Sequence, residues 1–373
     1  MGLRDVGSGR GSALDGQYAG HKTTLSIAAS VKRTTARKAG LMGELYGSTI
    51  DEALRRAGAT AQLAGIEQSV RTDGPDAGTR RLRIVAGELD IELLPDRGLD
   101  LGQVRHRGVP LAWVSPTGWP RPDSAGFGAS FGGGLLTTCG LLSFGPPSTD
   151  AEGTHPQHGR YSGLSASVRR AEVEGDAVVV EATIVEASVL GAHLELRRRI
   201  RVPLGEARIE VHDEILNRGA RAVEPMVLYH VNLGWPLVDA GTRMRSPAVR
   251  VHPRDAAAEA GAATWAEFPV PVADYPEQVF HHELPGGRRV SAEVTAASGL
   301  GIRISFDTTV LPAMFQWRVA QDDGVVLGVE PATAATILGR ADARAAGLLR
   351  ALAPGESWKL DLDIDVMRDR SVT

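Results

Sequence analysis

The clearest order in this chain is an alternation of apolar and polar positions with period two. It is strongest over residues 166–217: a β-branched run at 177–185, alternation at 194–202, a turn at Pro203-Leu204-Gly205, and alternation again at 209–215. Period two sustained over successive segments predicts an antiparallel meander with one face in water. A hairpin is predicted at 81–85 and 89–94 and a strand at 109–114. The same texture returns at 289–294, 301–306, 313–319, 325–330 and 358–366. Thr49 and Glu52 have capping-box spacing ahead of Ala53-Leu54-Arg55-Arg56-Ala57, which predicts a short helical lead-in. No stretch after residue 60 holds a long helical period, and no fixed-length repeat is visible. About fifteen or more short strands predict an all-β, antiparallel fold of two large sheets packed face to face.

Composition narrows the function classes. A net charge of -4 over 373 residues offers no basic excess for nucleic acid. No apolar run approaches the roughly 18 residues of a membrane span. Cys139 is the only cysteine, so neither an internal disulfide nor a thiolate metal cluster can form, and a reducing, cytoplasmic setting is expected. Its neighbours point to a buried strand end rather than a nucleophile. The first 40 residues carry seven Lys/Arg against two Asp and lack the apolar core of a secretory signal. They are read as a disordered or mis-started leader, with 41–373 as a single domain.

Three polar spots stand out against the strand pattern. Thr154-His155-Pro156-Gln157-His158-Gly159-Arg160 holds two of the ten histidines and an arginine on a stretch that Pro156 and Gly159 keep from being helical. Tyr229-His230-Val231-Asn232 follows an apolar strand, and Val326-Leu327-Gly328-Val329-Glu330-Pro331 ends another on a carboxylate. A His and a Glu facing one another across a pocket can do general acid–base work, because burial raises a carboxyl towards the range of imidazole. Each also has a plainer reading: His155 as a hydrogen-bonded loop residue, His230 as a satisfied core histidine, Glu330 as an ion-pair partner of Arg318.

Five stretches together carry a resemblance: Leu94-Pro95-Asp96-Arg97-Gly98-Leu99-Asp100, Gly134-Leu135-Leu136-Thr137-Thr138-Cys139-Gly140-Leu141, His158-Gly159-Arg160, Tyr229-His230-Val231-Asn232 and Leu327-Gly328-Val329-Glu330-Pro331. In this order they resemble the galactose-mutarotase-like superfamily of aldose 1-epimerases and hexose-phosphate 1-epimerases. Within it they are similar to a branch of aldose 1-epimerase-like proteins labelled a domain of unknown function. The resemblance implies a β-supersandwich and cofactor-free interconversion of sugar anomers, an isomerase activity. Glu330 would be the base and His230 the acid. His158 and Arg97 would bind the sugar; His155, Arg160, Asn232 and Trp317 stand beside them as further candidate binding residues of this chain, the last by stacking.

The chain departs from the pattern after His230, where Val231-Asn232 replaces an aromatic pair, and in having His155 and Arg160. Two other readings therefore stay open. In one, His155, His158, His230 and Glu330 hold a divalent metal for a sugar isomerase or epimerase acting at another carbon. In the other, the same groups only bind carbohydrate. Arg97, Arg160 and Arg318 raise the expectation of an anionic sugar. Sheet edges leave a homodimer open.

Overall fold

Alternation decides which side of each strand is buried, and two sheets share the resulting core. The computed structural model describes residues 44–122 and 126–368; the leader expected at 1–40 lies outside them. One sheet has eight strands, in the spatial order Ser167–Glu174, Ala177–Ala187, His193–Pro203, Arg208–Asn217, Ser357–Arg368, Leu300–Asp307, Arg289–Thr295 and Arg243–Arg245. The other has eleven: Arg250–Pro253, Gln278–Glu283, Ala313–Gln321, Gly324–Ala332, Met226–Gly234, Leu136–Leu141, Asp100–His106, Leu89–Leu94, Arg80–Ala86 and Ala64–Val70, with Val109–Pro110 beside Asp100–His106. All their pairings are antiparallel. This is the two-sheet antiparallel β-sandwich that the alternation predicts.

The meander is built as its sequence predicts. Leu194, Leu196, Arg198, Ile200 and Val202 point inward, while the odd positions Glu195, Arg197, Arg199 and Arg201 face outward and form cross-strand pairs such as Arg197–Glu214. The lead-in helix Ile50–Arg56 carries the expected capping box, with reciprocal Thr49 and Glu52 bonds of 3.3 Å. The strand expected at 109–114 is a two-residue strand only. Beyond it, Ala112 and Val114 make isolated bridges to Leu233 and Gly133. The segment is thus spent crossing the sheet surface rather than extending it. No helix among the described residues is long and apolar enough to cross a membrane.

Candidate functional site

Strand Met226–Gly234 is buried on both faces. Val227, Tyr229, Val231 and Leu233 face the other sheet. The even positions Met226, Leu228, His230 and Asn232 therefore point to the opposite face of the eleven-stranded sheet. Its neighbour Gly324–Ala332 pairs Val329 with Val231, which sets Glu330 directly opposite His230. On the other side of that strand, Gly328 pairs with Trp317 and Glu330 with Phe315. Register alone thus gathers His230, Glu330 and Trp317 on one patch near the middle of the sheet.

His230 Nε2 lies 3.4 Å from Glu330 Oε1. Both residues are buried, at 5 % and 3 % exposure, yet His230 Nδ1 and Glu330 Oε1 have no hydrogen-bond partner. Burial drives their proton affinities towards the neutral forms. It raises Glu330 to about 8, with Glu277 adding to the rise and Arg254 opposing it. It lowers His230 to about 3, assisted by His158. Gly328 keeps the pair accessible: a Cβ there would stand 2.8 Å from Glu330 Oε1 and 3.2 Å from His230 Cε1.

His158 reaches the same patch from a loop. Its φ is +57° and that of Gly159 is +73°, and a Cβ on Gly159 would meet the carbonyl oxygens of Gly140 and Ser143 at 2.3 and 2.4 Å. The loop is laced to the end of strand Leu136–Leu141: Gly140 N–H donates to the His158 carbonyl, Arg160 N–H to the Gly140 carbonyl, and His158 N–H to the Gly145 carbonyl. The ring centres of His158 and His230 are 6.0 Å apart. Desolvation lowers His158 to about 4.

These groups form the floor of a cavity of about 560 Å³ walled by Trp113, Phe127, Phe131 and Trp317. Phe131 and Trp317 each bring a ring centre to 5.3 Å from that of His230, and Phe127 stacks on Phe131 at 4.7 Å. At the solvent side, Glu277 accepts the indole N–H of Trp317 at 3.1 Å and pairs with Arg254 at 3.0 Å. Aromatic faces beside a few convergent polar groups suit the alternating C–H and O–H surfaces of a sugar.

Of the residues singled out in the sequence, His158, His230, Glu330 and Trp317 come together in this cavity; the others do not line it. His155 ends the strand Gly153–His155, facing Asp150 at 3.4 Å, and lines a separate cavity with Glu152 and Arg221. The Pro156 bend turns the two imidazoles apart, so the ligand set of His155, His158, His230 and Glu330 is not assembled. Among the described residues no group of three or more His, Cys, Asp or Glu could hold a metal ion.

Arg160 reaches back to the buried carboxylate of Glu186 at 3.0 Å instead of the cavity. Arg97 donates to the carbonyls of Ser130 and Pro120, at either end of the segment that carries Phe127. Asn232 spends its amide N–H groups on the carbonyls of Gly134 and His230, both at 2.9 Å. Arg318 follows Trp317 and so lies on the opposite face, bonded to Gln278, Thr264 and Glu267. It cannot be the partner of Glu330.

Sequence reasoning missed Trp113, Phe127, Phe131, Arg254 and Glu277. All five sit outside regular strands, where no periodicity announces a facing direction.

Comparison with known proteins fits this architecture. The family model described as a domain of unknown function (DUF4432) matches residues 76–366. No curated protein matches the chain. Among solved structures, a candidate aldose 1-epimerase from Klebsiella pneumoniae superposes with a TM-score of 0.75 at 25 % identity, over 82 % of this chain and 84 % of that one. A galactose mutarotase-like protein from Clostridium acetobutylicum gives 0.60 at 13 %, covering 83 % and 100 %. A candidate mutarotase from Salmonella typhimurium gives 0.58 at 12 %, covering 82 % and 94 %. With the match spanning most of its length, the chain belongs to the DUF4432 family and has the galactose-mutarotase-like fold.

Proposed function

We propose that the protein interconverts the anomers of an aldose, with Glu330 and His230 as the proton-transfer pair. The observation that carries this reading is the buried 3.4 Å approach of His230 Nε2 to Glu330 Oε1, on the floor of an aromatic-walled cavity, with polar atoms left without partners. Ring opening needs one proton removed from the anomeric hydroxyl and one delivered to the ring oxygen, two atoms bonded to the same carbon. A pair that shares a single proton can do both and return to its starting charge. Glu330 takes the hydroxyl proton while His230 protonates the ring oxygen. Rotation about the C1–C2 bond follows, and reclosure reverses the roles.

Burial favours the proton on Glu330 over His230, raising the carboxyl and lowering the imidazole. A sugar hydroxyl donating to Glu330 stabilises its carboxylate form and favours moving the proton across to His230. His158 holds a neighbouring hydroxyl, and Trp317 and Phe131 pack the C–H faces. The name of the Klebsiella pneumoniae protein supports the same reaction class. The test is anomer exchange of free aldoses followed by NMR. Acceleration by the wild-type protein that disappears in Glu330→Gln and His230→Ala supports the reading; equal exchange in all three proteins overturns it.

A further inference from the structure

The cavity has a charge pattern that bears on its substrate. Among the described residues lining it, Arg254 is the one Lys or Arg. That guanidinium is already taken twice: by Asp255 at 2.7 Å and by Glu277 at 3.0 Å. One positive charge against the Glu277 and Asp255 carboxylates leaves this cluster at the solvent side net negative, and Glu330 on the floor beneath it, holding its proton, adds no compensating positive charge. Glu277 is fixed from its other oxygen by the indole of Trp317, so it cannot swing aside without releasing the wall on which a sugar would stack. The arginines that raised the expectation of an anionic sugar, Arg97, Arg160 and Arg318, lie outside this cavity, bonded elsewhere.

We propose that the substrate is an uncharged aldose and that Glu277 is the specificity-determining residue, excluding phosphorylated and uronic sugars by occupying Arg254 and presenting its own charge. This rests on the anomer-exchange reading above. The physical basis is differential: a neutral hydroxyl tolerates a neighbouring carboxylate and can donate to it. A phosphate meets like-charge repulsion from Glu277 and Asp255, which already hold Nε and Nη2 of Arg254 and offset its charge. The selection is written into the free site, so it acts on KM more than on kcat.

The test uses the full chain with glucose, galactose and mannose, each beside its 6-phosphate and its uronate. Anomer exchange and saturation-transfer binding are both read by NMR. The wild type favours the neutral member of a pair by about ten-fold or more in kcat/KM, and the preference shrinks as salt screens the carboxylates. Glu277→Gln still accepts the Trp317 N–H but removes one of the two carboxylates that offset Arg254; the preference then falls by about five-fold or more, through KM. Adding Arg254→Gln to Glu277→Gln restores the rejection of the anions.

A wild type that handles a 6-phosphate as well as its parent sugar overturns the charge selection while leaving anomer exchange standing. A ratio unmoved in Glu277→Gln overturns the assignment of Glu277. A wild type that neither binds nor exchanges any probe, neutral or charged, removes the anomer-exchange reading itself and this proposal with it.

Discussion

Two clusters of buried ionisable groups sit one residue apart on the same strand. Tyr229 points into the core between the sheets and donates to Asp213 at 2.7 Å. There Arg198, with no exposure, reaches Asp213 and Asp100, both at 2.7 Å, and Thr138 at 2.9 Å. Asp100 takes two further bonds from Thr138. His230 points the other way, into the cavity, where it and Glu330 retain atoms without partners. Burial perturbs both clusters: it raises Asp100 to about 6 against the pull of Arg198, and Glu330 to about 8. Depth and proton affinity therefore do not separate structure from chemistry here; unpartnered atoms that face a cavity do. The core cluster has spent its hydrogen-bonding capacity on itself, as a buried charge network must. The cavity pair has kept capacity in reserve, and because it faces an open cavity a bound ligand can supply the missing partners.

The widest test of that contrast is kinetic. Glu330→Gln and His230→Ala should each lower kcat/KM for anomer exchange by about 10²–10⁴, the usual weight of a positioned acid or base, with circular dichroism little changed. If either retains wild-type exchange, the cavity pair is no more functional than the core cluster.

The converse substitution, Arg198→Met, leaves Asp100 and Asp213 buried against each other. It should lower unfolding free energy in urea by about 3–5 kcal/mol. A fold that tolerates it without loss would mean that the core network is dispensable.

Gly328→Ala probes the gap between the cavity groups. The new Cβ pushes on Glu330, Trp317 and His230, so activity should fall at least ten-fold while stability drops by about 1–3 kcal/mol, the ordinary cost of overpacking.

A pH series separates the pair from its surroundings more finely. Glu330 binds its proton more tightly folded than unfolded across the window from its ordinary value of 4.5 to about 8. The native state therefore holds the extra proton there, and stability falls as pH rises through that window. Glu330→Gln stays neutral throughout. Its stability relative to wild type should increase steadily from about pH 5 to about pH 9 in denaturant melts; a flat difference would contradict the raised affinity. His230 and His158 act in the opposite sense and lower down, stability rising with pH between their depressed values of about 3 and about 4 and the ordinary 6.5.

The smallest effect is expected for Trp317→Phe. It keeps an aromatic face and loses the bond to Glu277, raising KM by roughly the factor of a few to ten that about 1 kcal/mol allows.

Much of this was legible in the sequence, for a definable reason. Period two fixes the face of every residue in a strand, so the meander and the burial of Leu194, Leu196 and Ile200 follow from local pattern. So does the inward direction of Arg198, the middle member of that same phase, although an arginine there reads as a surface residue until its partners are known. His230 and Glu330 were found because polar groups at the ends of apolar strands are conspicuous. Their meeting depends on a register between strands some 100 residues apart, which no local pattern encodes. His155 was grouped with His158 by proximity in sequence, and the bend at Pro156 undoes that proximity in space. Phe127, Phe131, Arg254 and Glu277 lie on connections, whose directions depend on what they pack against.

The strand carrying His230 is flanked by Leu136–Leu141 on one side and Gly324–Ala332 on the other. Each partner is some 90 residues away along the chain. Joining such distant strands requires closing long loops before the contacts repay the lost chain entropy, which slows folding. The pair can therefore exist only when one of the least local parts of the topology is complete. Recovered anomer exchange after refolding would accordingly report the finished sheet, and would lag any signal that follows the meander, whose strands need only their immediate neighbours in sequence.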